Sequence, residues 1–215
     1  MNGITVAMAL VDFIPVLLFF AAAVLLQRDL YNKMVKGAYA LLATGSTMVL
    51  IGGIFKALWK ILYALGICDY QALDAAFFPL QGPGFLLVFL SLVGMFTRYN
   101  KRHVTAMSVA VVPVYSSTLP FVLMQVVGCA GAQWTLFAIS LKLKRKEAAA
   151  LYIVSFIAML GMGYLSATFD DSSSMHWTAQ CVNLISQGAF LWGTAILHRA
   201  GLAQRELFAA KKAAV

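Results

Sequence analysis

Hydrophobic residues along this chain fall in long uninterrupted blocks separated by short polar breaks, with neither the strict alternation of a strand nor a one-sided helical stripe. Each block is close to the roughly 20 residues that a helix needs to cross a bilayer. A helix is predicted for each because an unpaired backbone is too costly in hydrocarbon. The predicted spans are 4–26, 38–65, 82–97, 104–118, 121–141, 148–167 and 177–198.

The basic residues predict how these spans are oriented. Fourteen of the 16 lysines and arginines follow the first, third, fifth or seventh span, which the positive-inside rule assigns to the cytoplasm. We therefore predict an all-α polytopic membrane bundle of seven transmembrane helices in the plasma (inner) membrane, with the N-terminus outside. Its domain covers 1–200, followed by a short cytoplasmic tail at 201–215. The opposite loops carry only acidic charges, namely Asp69, Asp74, Asp170 and Asp171.

Composition agrees with this class and excludes others. The chain of 215 residues is 62% hydrophobic and 11% charged, whereas soluble domains average roughly 25% charged residues. The net charge of +8 does not predict nucleic-acid binding, because the basic residues lie between apolar blocks rather than along one face. The lipid bilayer is the expected partner. The three cysteines have no metal-site or disulfide spacing, and no cofactor is expected.

The segment 103–141 is the least certain part of this topology. It has no charged residue after Arg102 until Lys142, and its only turn-type cluster is 116–120. A chain that turns there crosses twice. The alternative is a re-entrant hairpin with five full crossings elsewhere. Pro113 and Pro120 each remove a backbone donor, so a kinked or partly unwound helix is expected in this segment.

Two charged residues lie within predicted spans and need either a partner or a watery cavity. A charge near the middle of a membrane helix costs about 2.5–3.5 kcal/mol. Asp12 is about eight residues from the outer end of the first span, and Lys56 is at a similar depth in the second. We predict an Asp12–Lys56 ion pair. Lys60, one turn further out, is interpreted as an interfacial anchor.

Other polar side chains fall in the same outer layer when depth is counted along each span. Asn183 and Gln187 are four residues apart and share a helix face. Together with Asp12 and Lys56 they predict a pocket that opens to the outside, with Trp59 near its rim. The alternative is that the amides and hydroxyls hydrogen-bond between helices and only fix their packing. The remaining predicted pocket residues are Gln125, Ser116 and Ser117.

The sequence does not favour catalysis. His103 and His198 lie at the inner surface and His176 at the outer surface, so the three cannot converge on one metal. Ser116 and Ser117 have no identifiable base nearby, and no GxSxG motif is present. An enzyme is therefore the less favoured interpretation.

These features predict a protein that binds a small polar or amphiphilic ligand in an outward-facing intramembrane pocket, as a solute transporter or ligand-binding membrane component. Asp12 and Lys56 would contact charges on the ligand, and a zwitterion such as an amino acid would suit both. Two alternatives remain. One is a structural or sensory subunit that depends on a protein partner or on a homo-oligomer. The other is a membrane-embedded lipid-modifying enzyme.

Overall fold

A computed structural model describes residues 5–96, 118–167 and 173–205 of the chain. Within these ranges regular structure is helical, with a single 3-10 turn at Tyr31–Lys33. The predicted span 104–118 and most of the predicted tail lie outside the described residues. The helices are α1 Val6–Val11, α2 Phe13–Leu30, α3 Lys36–Ala64, α4 Gln71–Ala75, α5 Phe77–Phe96, α6 Leu119–Lys142, α7 Lys146–Ala167 and α8 Ser173–Arg199.

Several helices have the length and composition of membrane-spanning segments, which makes the chain a membrane protein. Among the described residues, four continuous helical segments are long and apolar enough to cross a bilayer. Large apolar side chains face outward from the bundle, as lipid-facing residues do; Leu17 is 62% exposed and Ile157 61%. The four segments are Val6–Lys33, Lys36–Ala64, Gln71–Met95 and Leu119–Lys142.

The long helices form a closed ring, with α1 and α2 following each other as one rod. Around this ring α2 contacts α3, α3 contacts α5, and then α6, α7 and α8 follow in order until α8 returns to α2. Neighbours joined by short connections run antiparallel. The ring therefore consists of two groups of three helices, one formed by α1/α2, α3 and α5, and the other by α6, α7 and α8.

The two groups meet through parallel helix pairs. Gly82 in α5 faces Phe121 in α6, and Gly131 faces the ring of Phe89, two turns further along α5 and nearly three turns further along α6. These contacts make α5 and α6 parallel. The second junction joins α2 to α8, which is likewise parallel because contacts such as the stacked rings of Phe19 and Phe190 advance together along both helices.

Glycines allow the helices of the ring to approach closely. A Cβ atom added to Gly128 in α6 would lie 2.4 Å from the backbone nitrogen of Leu86 in α5. Gly45 in α3 and Gly84 in α5 face each other at similarly short range. Small residues are typical of membrane helix interfaces, because dispersion contacts between backbones replace the hydrophobic effect that is missing in lipid.

The two ends of the ring differ in charge and in packing. One end, here named the basic end, carries basic residues such as Arg28, Lys142 and Arg199. There Asp29 in α2 is only 2% exposed, and both of its carboxylate oxygens lie 2.9–3.0 Å from His198 Nδ1 in α8. His198 lies at the end of α8 where the sequence places it, with 31% of its side chain exposed, and it also partners a buried acid across one junction between the two groups.

Candidate functional site

A cavity of about 440 Å³ opens at the other end of the ring, here named the cavity end. Each long helix of the described chain contributes to its wall. The sequence-predicted residues that line it are Asp12, Lys56, Trp59, Gln125, Asn183 and Gln187. Depth counting along the spans therefore brought together polar residues that share one cavity. Ser116 and Ser117, which were also predicted, lie outside the described residues.

Asp12 lies at an interruption of the first membrane helix. It ends α1 and precedes α2, and its backbone nitrogen still bonds to the carbonyl of Met8. Pro15, three residues on, has no N–H to give the carbonyl of Val11. The break therefore follows from Pro15 rather than from the proline-containing segment for which the sequence predicted it. It places a carboxylate on the cavity wall.

The predicted Asp12–Lys56 ion pair is wrong. Asp12 Oδ2 instead contacts Nζ of Lys60, at 2.5 Å. Both side chains are largely buried, at 14% and 16% exposure. The interpretation of Lys60 as an interfacial anchor is therefore wrong. Lys60 lies one turn further out than Lys56, and its long side chain reaches the acid at the helix break.

Lys56 forms a different ion pair at the cavity mouth. Its partner is Asp74 of the short helix α4, and about one third of each side chain is exposed. The Lys56 ammonium also lies 5.1 Å from the ring centre of Trp59 and 5.6 Å from that of Phe77. Trp59 in turn donates a hydrogen bond from Nε1 to Asp69 at 2.9 Å. These contacts tie the loop after α3 to the rim of the cavity.

An amide relay crosses three helices at the cavity wall. Gln81 Nε2 donates to the backbone carbonyl of Val49 at 3.4 Å, and Gln125 Nε2 donates to Gln81 Oε1 at 3.3 Å. The carbonyl of Val49 can only accept, so it fixes the orientation of both side-chain amides. Gln125 Oε1 is left buried, with no hydrogen-bond partner among the described residues.

A second fixed amide was missed by sequence reasoning. Gln180 in α8 is 3% exposed and donates from Nε2 to the backbone carbonyl of Met8 at 2.8 Å. Its Oε1 is also buried and has no partner within the described ranges. The signal that could have found it was its place one turn before Asn183, which lines the cavity with it. Neither Asn183 nor Gln187 makes a side-chain hydrogen bond to the described chain.

Aromatic residues close the cavity toward the basic end. Phe19 lies 5.9 Å from the ring of Phe85 and 6.1 Å from that of Phe190, and it is 8% exposed. Met159 and Met162 of α7 add flexible apolar surface to the same wall. The recess therefore has a polar upper wall and an apolar base, and the ring is packed below it.

Polar pairs also occur below the cavity, where they serve packing. Gln27 Nε2 donates to Ser46 Oγ, and Gln133 Nε2 donates to Ser155 Oγ, each at 2.7 Å. Such bonds between membrane helices contribute about 0.6 kcal/mol on average. The alternative interpretation of amides as packing contacts thus fits these pairs. One of these amides, Gln133, also leaves its Oε1 buried without a partner in the described chain, and Gln125 and Gln180 differ from it because they line the recess.

The recess combines a mainly apolar lining with a few fixed polar atoms. Within the described residues no group of three or more His, Cys, Asp or Glu side chains is placed to hold a metal ion. A mainly apolar recess with a few fixed polar atoms is the usual form of a small-molecule site. Comparison of the chain with protein-family models, with curated proteins and with solved structures finds no match.

Proposed function

We propose that this chain is a multi-pass protein of the plasma membrane that binds a small polar or amphiphilic molecule in the recess at its cavity end, as a solute transporter or ligand-binding membrane component. One observation carries the proposal: polar groups from several helices converge on a single recess, and some of their hydrogen-bonding atoms have no partner among the residues that the structure describes. Unpaired buried polar atoms are costly to a fold that does not use them.

The charge distribution supports an outward-facing recess. The loop beside the cavity contains Asp69 and Asp74, whereas Arg28, Lys142 and Lys146 lie at the far end of their helices. Basic clusters flanking membrane helices are retained on the cytoplasmic side. The proposal therefore has the cavity open to the outside and the basic end in the cytoplasm.

The parallel arrangement of α5 and α6 supports seven crossings. Because the two helices are parallel, α5 ends at the basic end and α6 begins at the cavity end, which is the arrangement that the seven-span prediction requires. In addition, α6 is a single helix of 24 residues, about 36 Å long at 1.5 Å per residue. That length suits a full crossing and is too long for one limb of a re-entrant hairpin.

The two groups of three helices favour transport over static binding. Many transporters consist of two parallel repeats about an axis along the membrane normal, with the substrate site between them. Here the recess lies between the two groups, which meet mainly through the parallel pairs α5/α6 and α2/α8 within the described residues. In such an arrangement α2 would correspond to α6, α3 to α7 and α5 to α8.

Access from outside can be tested with an engineered cysteine. In a variant lacking Cys68, Cys129 and Cys181, we expect Asn183→Cys to react with a charged, membrane-impermeant thiosulfonate added outside intact cells. Ile185→Cys is the control, since Ile185 is two residues away on the same helix but 55% exposed on the lipid-facing surface. Thiols react as thiolates, which form in water and not in lipid, so the control should react at least about tenfold more slowly.

A cysteine at the basic end checks the orientation. Arg205→Cys, at an exposed position after α8, should react only when the reagent reaches the cytoplasmic face. Equal reaction of the Asn183 and Ile185 variants would reject the water-filled recess. Reaction of the Asn183 variant from the cytoplasmic side alone would reverse the proposed orientation.

A further inference from the structure

We infer that the ligand of the cavity is an uncharged molecule that presents hydrogen-bond donors, such as hydroxyl or primary amide groups, on a small apolar body. This inference rests on the proposed function and specifies its ligand class. It replaces the zwitterion that the sequence suggested.

The first step concerns the two unpartnered amide oxygens. Gln180 and Gln125 are each fixed by donating toward a backbone carbonyl, directly or through Gln81, so neither amide can rotate to offer its N–H₂ group instead. Both residues line the cavity, and each holds a buried acceptor oxygen without a partner in the described chain. Only a donor satisfies such an atom. A ligand that brings donors removes two unpaired acceptors, and a ligand without donors leaves them unpaired.

The second step concerns net charge. Asp12 is already paired with Lys60 and Lys56 with Asp74, so the wall offers no unpaired formal charge among these groups. A cationic ligand would meet two ammonium groups, and the faces of Trp59 and Phe77 are already occupied by the Lys56 cation. An anionic ligand would meet the two free acceptor oxygens. An uncharged ligand with hydrogen-bond donors is repelled neither by the ammonium groups nor by the acceptor oxygens.

The third step concerns the apolar part of the ligand. The apolar part of the cavity lining includes Phe19, Phe85, Met159 and Met162. An entirely polar molecule bound against these side chains would lose its hydration on that side without gaining hydrogen bonds in its place. A molecule with one apolar side and one donor side fits both walls.

Four probes of one size test this class. Benzamide is neutral with N–H donors, N,N-dimethylbenzamide is neutral without donors, benzoate is an anion, and benzylammonium is a cation. We expect the purified full-length protein to bind benzamide about tenfold or more tightly than each of the others, by ligand-observed NMR and thermal shift, because a site built to hydrogen-bond a donor rejects an analogue that lacks it.

A matched pair of variants tests whether the preference for benzamide arises in the cavity. Gln180→Leu removes a buried acceptor at the recess, and the preference for benzamide over its dimethyl analogue should fall several-fold. Gln133→Leu is the control. Gln133 is also buried, also donates from Nε2 and also has an unpartnered Oε1, but it lies away from the cavity. Its variant should retain the preference.

The outcomes separate this inference from the proposed function. Tighter binding of benzoate or benzylammonium, or equal binding of the two amides, would overturn the neutral-donor class while leaving a ligand-binding recess in place. An unchanged preference in Gln180→Leu would also overturn it. Failure of all four probes to bind, together with unreactive Asn183→Cys, would reject the recess itself.

Discussion

Replacing Gly128 by leucine is expected to disrupt the bundle strongly. A Cβ atom there would lie 2.4 Å from both Leu86 N and Phe85 C, which are backbone atoms that cannot move aside alone. The α5 and α6 helices would have to separate, which opens a junction between the two groups of three helices. Overpacking of this kind costs about 1–3 kcal/mol, and we expect the upper end of that range.

The matched control is Gly188→Leu in α8, where an added Cβ meets no atom within 4 Å. Both variants lose the same backbone freedom and gain the same side chain, so the difference between them reports the α5/α6 contact. Thermal unfolding of each purified variant, read by size-exclusion fluorescence, gives the comparison. Equal melting temperatures would contradict the parallel packing of α5 against α6, and with it the support for a seventh crossing.

The polar residues of the recess could be predicted from the sequence because the depth of a residue in a membrane helix depends only on its distance from the end of that helix. A rise of 1.5 Å per residue places Asp12, Gln125 and Asn183 at similar heights once the helix ends are assigned. No knowledge of neighbouring helices is needed for that step. This is why most of the predicted site residues line one cavity even though their sequence positions are far apart.

The contacts between these residues could not be predicted, because they depend on rotation about each helix axis and on which helices are neighbours. Lys56 and Lys60 share a face, and only the break before Pro15 decides which one reaches Asp12. The pairing of Asp29 with His198 likewise needs α2 and α8 to be parallel neighbours.

The second large effect is expected from breaking the buried ion pair on the cavity wall. Lys60→Met removes the cation and leaves the Asp12 carboxylate, which is 14% exposed, without its partner in the pair. Removing one member of a buried pair costs about 3–5 kcal/mol, so we expect a large drop in melting temperature.

Two further variants test whether the drop in melting temperature comes from the broken ion pair rather than from the loss of any lysine. Lys56→Met breaks the pair with Asp74, whose side chains are one third exposed, and exposed pairs contribute about 0–1 kcal/mol; its melting temperature should stay near that of the parent. The double variant Asp12→Asn with Lys60→Met removes both charges together and should recover most of the loss. A drop in Lys56→Met as large as in Lys60→Met, or no recovery in the double variant, would contradict the Asp12–Lys60 assignment. In that case the acid at the helix break would need another partner, and the neutrality of the recess, on which the ligand class depends, would no longer follow.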